Sequence, residues 1–413
     1  MIETRTGWRP EWNAPWSTGA EERWDGSTPL TEHTAVTLAL RHNRQIRADL
    51  EEIAASRADL VQAGLLPNPM LSLAFGLPIA GADGGTNITI GAMQQLSALW
   101  LRGPRVAGAE ARLREAVLRV SDRALMLVAR TRATHARVAA LEALCAHQCA
   151  AAEAQQRSAS ILQRIAEEGE ASAAEVAEAE MLAAEQRARL IESERDLAIA
   201  RRELLELIGR ADASADFPVA TEPDTDRAIP DERETALAAA NQRLDVAAAL
   251  AARDAADASL REAGLGRLPE LSAGAMYERE LMGDKMLGPA INVEVPIFDD
   301  GRTAQARAAV DARRAHLAAE SALQAAIREA RTAHATLVAA DQALAAARRA
   351  AAAADHALAA MIAAHEAGEA SDLALAAASV VAERTRAEVV RRLLERRLAA
   401  IELERAAGGR LAP

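Results

Sequence analysis

The 413-residue sequence predicts a mainly α-helical fold with a small β part, built by internal duplication. Half of the residues are hydrophobic but only 2% are aromatic. Alanine dominates the apolar residues, which favours long, closely packed helices over a globular core. Two stretches alternate with a period of two residues, which predicts strand pairs within the helical pattern. The same order of elements occurs twice, about two hundred residues apart, which indicates a duplication.

The first strand pair is predicted over residues 69–95, after two prolines that end the preceding helical pattern. Small or polar residues, among them Ser72, Asn87 and Thr89, alternate here with apolar ones. The glycine-rich residues 81–85 predict the turn between the strands. The alternating apolar residues are Leu71, Leu73, Phe75, Leu77, Ile88 and Ile90.

The second strand pair is predicted over residues 270–297 by the same alternation. Its small or polar side includes Ser272, Asn292 and Glu294. The apolar side consists of Leu271, Ala273, Ala275, Tyr277, Ile291, Val293 and Val295.

The rest of each copy is predicted to be helical. A helix over residues 31–64 precedes the first strand pair, and a long helix begins at Pro104 and meets no helix breaker before Glu168. The second copy repeats this order with helices over residues 231–263 and 303–366. Apolar residues of the first long helix follow heptad spacing, which predicts a coiled-coil seam. The seam residues are Leu113, Val117, Val120, Ala124, Leu127, Thr134, Val138, Leu141 and Cys145.

The predicted organisation is two repeats with short extensions. The first repeat covers residues 30–209 and the second covers residues 231–406, each ending in a shorter helix. A linker rich in proline and aspartate, residues 210–230, joins them. Residues 407–413 form a tail, and residues 1–29 form an N-terminal extension without the apolar segment of a secretory signal. This extension is predicted to pack along a helical surface, to lie at a membrane interface or to be disordered. It contains Trp8, Trp12, Trp16 and Trp24.

The four predicted strands have the length that crosses a bilayer, about 9–11 residues when tilted. An open sheet edge in lipid would leave backbone groups unsatisfied at several kcal/mol each. The edges are therefore predicted to close between chains, because three chains with four strands each give a twelve-stranded transmembrane β-barrel with a water-filled lumen. The long helices are predicted to continue it as an α-helical coiled-coil barrel. The candidate pore-lining residues are Ser72, Asn87, Thr89, Asn292 and Glu294.

A glycine surrounded by carboxylates interrupts the helical pattern in each repeat. The first of these tips is residues 168–172 and the second is residues 367–372. Threefold repetition predicts rings of negative charge, which favour cations in a narrow pore. An exposed acidic loop that is kept soluble by its charge is the equally weighted alternative. The tip residues are Glu168, Gly169, Glu170, Ala171 and Ser172 in the first, and Gly368, Glu369, Ala370, Ser371 and Asp372 in the second.

The charge and the scattered reactive residues exclude several function classes. A net charge of -12 and an isoelectric point near 5.3 argue against nucleic acid as a partner. No nucleophile–base pair, phosphate loop or paired metal ligands occur in the sequence, so no enzyme activity, cofactor or metal site is predicted. Cys145 and Cys149 are predicted to be small buried apolar residues rather than metal ligands.

The duplicated order of elements resembles the outer membrane efflux protein family, the TolC-like outer membrane factors, over residues 30–406. The run from Gly64 to Leu73, GLLPNPMLSL, resembles the CzcC-like heavy-metal branch of that family. The run from Val295 to Arg302, VPIFDDGR, resembles the family's junction between strand and helix. The resemblance implies a trimeric channel whose β part lies in the outer membrane of a Gram-negative cell, among its lipids, and whose helices extend into the periplasm.

The resemblance further implies a passive duct that receives substrate from an inner-membrane pump through a periplasmic adaptor. Heavy-metal cations are the substrate class that the CzcC-like run suggests. The tips fall where the family contacts the adaptor and closes its aperture. The family usually has a hydrophobic residue after the tip glycine, whereas this chain has Glu170 and Glu369. A soluble coiled-coil scaffold, or a paralogue that is not exported, is the alternative interpretation.

Overall fold

The structure is a computed structural model that describes residues 24, 26–76, 86–220, 228–280 and 284–409. The chain divides into two compact units. The helical unit contains Arg47 and the described residues before it, together with Ser121–Arg243 and the described residues from Ala325 onward. The sheet unit contains Ala48–Val120 and Leu244–Gln324 as far as they are described.

The order of elements confirms the predicted duplication. The first repeat contains α1 (Glu32–His42), α2 (Arg44–Gly64), β1 (Met70–Gly76), β2 (Asn87–Gln95), α3 (Ser97–Glu167) and α4 (Ala173–Leu207). The second repeat contains α5 (Glu232–Gln242), α6 (Leu244–Leu265), β3 (Leu271–Arg279), β4 (Lys285–Val293), α7 (Arg302–Glu366) and α8 (Asp372–Ala406). None of the described helices is long and apolar enough to cross a membrane.

The second halves of the two repeats align in sequence at an offset of 199 residues, so that Gly169 corresponds to Gly368 and Gly209 to Gly408. All four glycines have positive φ, between 74° and 88°, a conformation that glycine adopts without steric cost. A Cβ at Gly209 would lie 2.8 Å from the carbonyl oxygen of His42, whereas nothing lies within 4 Å at Gly169.

The predicted first helix over residues 31–64 is wrong in one respect, because it is broken into α1 and α2 at Asn43. Asn43 has extended backbone angles, φ -65° and ψ 119°. Its side-chain oxygen accepts hydrogen bonds from the backbone N–H groups of Gln45 and Ile46, which begin the next helix as an N-cap does. Arg243 takes the same conformation between α5 and α6, so the predicted helix over residues 231–263 is likewise two helices.

The start of the first long helix also differs from the prediction. Helix α3 begins at Ser97 and contains Pro104 in its interior, whereas the sequence predicts that Pro104 opens the helix. The corresponding residues of the second repeat remain non-helical until α7 begins at Arg302. Pro104 is the eighth residue of α3, a position where proline removes one backbone hydrogen bond and its ring crowds the carbonyl of the residue four positions before it.

The four strands form one antiparallel sheet in the order β1-β2-β3-β4. Leu73 pairs with Ile90, Ile90 with Tyr277, and Ser272 with Asn292. The predicted turn at residues 81–85 lies outside the described residues. Glu294, predicted to lie within the last strand, is one residue beyond β4, although its N–H donates to the carbonyl oxygen of Glu270 at 2.9 Å.

The main hydrophobic core of the helical unit joins α1 to the middle of α3 and the end of α4. Trp24 is buried in this core, and its ring meets that of Phe217 edge to face at a centroid distance of 5.0 Å. Leu30 forms a parallel bridge with Val219. Parts of the predicted extension and linker are therefore core elements, whereas Trp8, Trp12 and Trp16 lie outside the described residues.

The heptad seam of α3 is buried over much of its length. Val120, Ala124, Leu127 and Val138 are all buried, as the spacing predicts. Farther along α3, Cys145 is half-buried and Cys149 is exposed. The expectation that both cysteines are buried is therefore wrong for Cys149.

Candidate functional site

The first tip is a tight loop between α3 and α4 in the helical unit. The N–H of Glu170 donates to the carbonyl oxygen of Ile165 at 3.0 Å, and that of Gly169 donates to Ala166 at 3.0 Å. These two bonds form a Schellman motif, which requires the positive φ of Gly169. The loop ends the helix within one turn and leaves the carboxylates of Glu168 and Glu170 exposed.

Ser172 begins α4 with a capping box. Its hydroxyl accepts from the N–H of Glu175, and the Glu175 carboxylate accepts from the N–H of Ser172 at 2.7 Å. Hydrogen bonds from the backbone and hydroxyl of Ser172 lower the pKa of Glu175. The first tip is thus held by reciprocal hydrogen bonds at its start and end.

The second tip has the same backbone but a different set of side-chain contacts. The N–H of Glu369 donates to Ala364 at 2.8 Å, and Gly368 has a φ of 78°. Ser371 caps α8, but Ala374 stands where the capping box would need a carboxylate. His365 contacts the second tip instead of a capping-box carboxylate. Its Nδ1 lies 3.0 Å from the carbonyl oxygen of Ala370, and its Nε2 lies 3.4 Å from the carboxylate of Asp372.

Four of the five candidate pore-lining residues share one face of the sheet. Ser72 pairs with Gly91, and Asn87 and Thr89 follow on the same face at a period of two. Thr89 pairs with Glu278, and the same face continues through Ser272 to Asn292. Glu294 lies outside the strands, as described above.

Glu278 is a charged residue on this polar face that the sequence reasoning missed. The Asn87 amide donates to its carboxylate at 3.4 Å. The sequence does indicate the position of Glu278, because the period of two residues that starts at Ser272 continues through Gly274 and Met276 to Glu278.

The opposite face of the sheet carries exposed apolar side chains on both outer strands. Phe75 on β1 is 65% exposed and Ile291 on β4 is 68% exposed. The exposed apolar surface extends past β4 to Ile297 and Phe298. The sheet therefore has one apolar and one polar face, with β1 and β4 as its edges.

A buried ion cluster joins the two repeats within the helical unit. The Arg132 guanidinium donates to Glu32 at 2.7 Å and to Glu404 at 2.5 Å, and Arg397 donates to the second oxygen of Glu32 at 2.7 Å. Burial raises the pKa of the Glu32 carboxyl, but the two guanidinium groups outweigh it and hold the pKa below its ordinary value. The equivalent pair, Glu232 and Arg331, is exposed and 3.7 Å apart. No sequence period marks this cluster.

Among the residues that the structure describes, no group of three or more histidine, cysteine, aspartate or glutamate side chains is placed to hold a metal ion. Burial raises the pKa of the Cys145 thiol, which disfavours the thiolate that binds metals. His147 contacts Glu383 of α8 at 2.8 Å instead of either cysteine.

Comparisons with known proteins agree with this architecture. Residues 237–409 match the model of the outer membrane efflux protein family. No curated protein matches the chain by sequence.

Three solved structures illustrate the likeness of the fold. The outer membrane protein VceC of Vibrio cholerae is 18% identical with a TM-score of 0.73, and the match covers 92% of this chain and 96% of that one. The Campylobacter jejuni CmeC outer membrane channel is 14% identical with a TM-score of 0.72, at 97% and 94% coverage. CusC, whose structures concern transmembrane channel formation, is 18% identical with a TM-score of 0.74, at 97% and 98% coverage.

The family match lies in the second repeat, and the fold likeness extends over nearly the whole chain. The chain is thus similar to the outer membrane efflux proteins in the sequence of its second repeat, and to solved outer-membrane channels in its fold.

Proposed function

We propose that this chain is the outer-membrane duct of a tripartite efflux system. The observation that carries the proposal is the sheet, which has a polar face and an exposed apolar face and is attached to long helices. Because both of its edges are open, the sheet is completed when three copies close a barrel in lipid. The duct supplies a path and does not supply energy, and no catalytic role is assigned to it.

The polar face would line the lumen of this barrel. Ser72, Asn87, Thr89 and Asn292 provide neutral hydrogen-bonding groups, and Glu278 adds a carboxylate. In three copies such carboxylates favour cations. Glu294, just past β4, would lie at the rim rather than within the wall.

The two tips are proposed to contact the periplasmic adaptor and to form the closing aperture. Both are exposed loops with glutamates beside a left-handed glycine, Gly169 or Gly368. The charge at Glu170 and Glu369 suits a basic adaptor surface rather than an apolar one. An inner-membrane pump would deliver the substrate through that adaptor.

The proposal is tested by expressing the chain behind a working signal sequence and extracting it from outer membranes. A detergent-solubilised protein mass of three times 43.7 kDa, together with single-channel conductance in planar bilayers, is the expected result. Glu278→Gln should lower the preference for cations over anions without changing the mass. A particle that remains monomeric in water without detergent would overturn the proposal and favour the coiled-coil scaffold.

Heavy-metal cations are proposed as the substrate because of the run from Gly64 to Leu73. The test is growth of a metal-sensitive host that carries the chain with its cognate pump and adaptor. Protection against divalent or monovalent metals, absent when the chain is deleted, is expected. Protection only against organic compounds would refute this choice of substrate.

A further inference from the structure

Two thiol groups lie on one face of α3 in the helical unit. Cys145 and Cys149 are four residues apart within this helix, and residues at that spacing are neighbours on a helix surface, with Cβ atoms about 5–6 Å apart. They are the only two cysteines of the sequence. The exposure of Cys149, in place of the burial that the sequence predicts, opens this pair to solvent.

The helix keeps the pair from closing into a disulfide. A disulfide holds its two Cβ atoms about 3.5–4.5 Å apart, which is closer than the four-residue spacing of an unbroken helix allows. Burial and the carboxylate of Glu194 raise the pKa of the Cys145 thiol, and desolvation and the carboxylate of Glu153 raise the pKa of the Cys149 thiol. Because the thiolate is the form that is oxidised, both groups persist as protonated thiols at neutral pH.

The pair offers two sulfur ligands and no third ligand of the usual kind. His147 lies between the two cysteines in sequence, but its Nδ1 contacts Glu383 of α8 at 2.8 Å. A protein zinc site needs three or four side-chain ligands, and such a group is not found among the described residues. Two sulfur atoms alone suit a soft metal ion that is satisfied by two ligands in a line.

The charge around the pair selects the valence of that ion. More carboxylates than guanidinium groups act on the two thiols. The carboxylates are those of Glu142, Glu153, Glu194 and Asp196, and the guanidinium groups are those of Arg187 and Arg201. Two thiolates that bind a monovalent ion keep a negative charge, which the carboxylates oppose, whereas two thiolates that bind a divalent ion are neutral. This surface therefore favours a divalent ion.

We propose that Cys145 and Cys149 form a binding site for one soft divalent metal ion, the mercuric ion, held in a line between the two sulfur atoms. In the binding step both S–H bonds break, two protons pass to water and two S–Hg bonds form, without a change of oxidation state. The thiol of Cys149 gives up only a weak hydrogen bond, which it donates to Glu153 at 3.7 Å. The site uses α3 and the facing side of α4, so the inference goes beyond the proposed function and does not depend on it.

The test uses the full chain, extracted in detergent, reduced and then freed of reductant, with mercuric chloride as the probe. The wild type is expected to bind one mercury per chain, measured by the charge-transfer absorbance of the S–Hg bonds. It should release two protons per mercury into weak buffer, because both thiols are protonated beforehand. At one equivalent of mercury, neither thiol should react with a thiol reagent.

The matched control is Cys149→Ala with Ala152→Cys. Ala152 is half-buried and lies two turns from Cys145 on the same helix face, so the variant keeps two thiols but separates them by on the order of 10 Å along the helix. One ion cannot bridge them, and the variant should bind two mercury ions per chain with one proton released for each. Reduced glutathione should remove mercury from this variant at about a hundredfold lower concentration than from the wild type, because two donors on one helix turn act at high effective concentration.

Equal retention of mercury by the wild type and the control, or two mercury ions per wild-type chain, would overturn the inference. So would a product of twice 43.7 kDa on a denaturing gel without reductant, because one mercury would then join two chains. Native mass measured on the same samples separates the two proposals. A one-chain particle that binds one mercury would overturn the proposed function alone, and a three-chain particle that binds none would overturn the inference alone.

Discussion

Helices α4 and α8 occupy equivalent places in the two repeats, yet positions that are exposed on α4, such as Met181 and Ile191, are covered or half-buried on α8 as Val380 and Val390. The stripe that leaves Ile191 in solvent on α4 corresponds on α8 to Val390, which lies against α3 and α4. Duplication thus produced two similar halves with different surroundings. Helix α8 covers these apolar side chains within the chain, and α4 leaves them exposed.

The sheet unit shows the same contrast between α2 and α6. Helix α6 buries a complete stripe, which includes Val246, Ala251, Ala255 and Ala258. Of residues 48–64 in α2, only Asp49 is buried, and Val61 is 60% exposed. The asymmetry therefore extends to α2 and is not limited to α4.

The largest effect is expected when the groove between α7 and α8 is made like the groove between α3 and α4, which has Leu141 and Leu144 at the positions of Ala340 and Ala343. Ala340→Leu with Ala343→Leu should abolish the proposed trimer, because the two added side chains fill the groove and overpack any helix that lies against it. Adding Ile191→Val and Arg195→Leu, which makes α4 resemble α8, should restore it. Native mass measurement of detergent-extracted protein checks both steps.

The matched control for this swap is Ala345→Leu with Ala352→Leu, because both alanines are exposed and outside the groove lining. It should leave the trimer unchanged. Loss of the trimer in this control, or no rescue by the compensating pair, would show that the two grooves are not equivalent.

The next largest effect is expected at two ion pairs that occupy equivalent positions in the two repeats, of which only the first is buried. Arg132→Met leaves the carboxylates of Glu32 and Glu404 without their guanidinium, and it should lower the free energy of unfolding by about 3 kcal/mol. Arg331→Met removes the exposed counterpart and should cost less than about 1 kcal/mol. Denaturant unfolding of both variants in the same detergent is the measurement, and equal losses would contradict the difference in burial.

The Glu32 cluster also predicts a dependence on pH. Since the folded-state pKa of Glu32 is lowered, its stabilising contribution is fully present above the unfolded pKa, about 4.3, and is lost as pH falls through the folded value. The difference in unfolding free energy between the wild type and Glu32→Gln should therefore shrink between about pH 6 and pH 3. A difference that stays constant over this range would show that Glu32 is not held ionised by Arg132 and Arg397.

The smallest effect is local to the tips. Ala374→Glu should give the second tip the capping box that Ser172 and Glu175 form in the first, and slow amide exchange at the start of α8 by about threefold. Ala374→Gln is the control, since a neutral amide keeps the hydrogen bond but lacks the charge that favours a helix N-terminus. No change at Ser371 in either variant would mean that His365 already limits opening of this tip.

Much of this architecture was readable from particular residues. The alternation around Leu73 and Ile90 predicted the strands, and Gly169 and Gly368 predicted the tips, because strand period and left-handed glycine are local properties. The break at Arg243 was not readable, since arginine has no capping preference. It is imposed by packing of the neighbouring turn, where Gly408 approaches the backbone of Gln242 and Arg243 closely enough that a Cβ would lie 2.9 Å away.

The sequence by itself determined the duplication, the order of the elements and the two faces of the sheet, because each depends on spacing within a short window. Only the tertiary structure decided which repeat is covered and which is open, where Trp24 and Phe217 pack, and how Arg132 joins the repeats. These depend on contacts between residues far apart in the chain, such as the 272 positions between Arg132 and Glu404. Helices at equivalent positions of the two repeats can therefore differ in burial, because the burial of a helix depends on the elements that pack against it as well as on its own sequence.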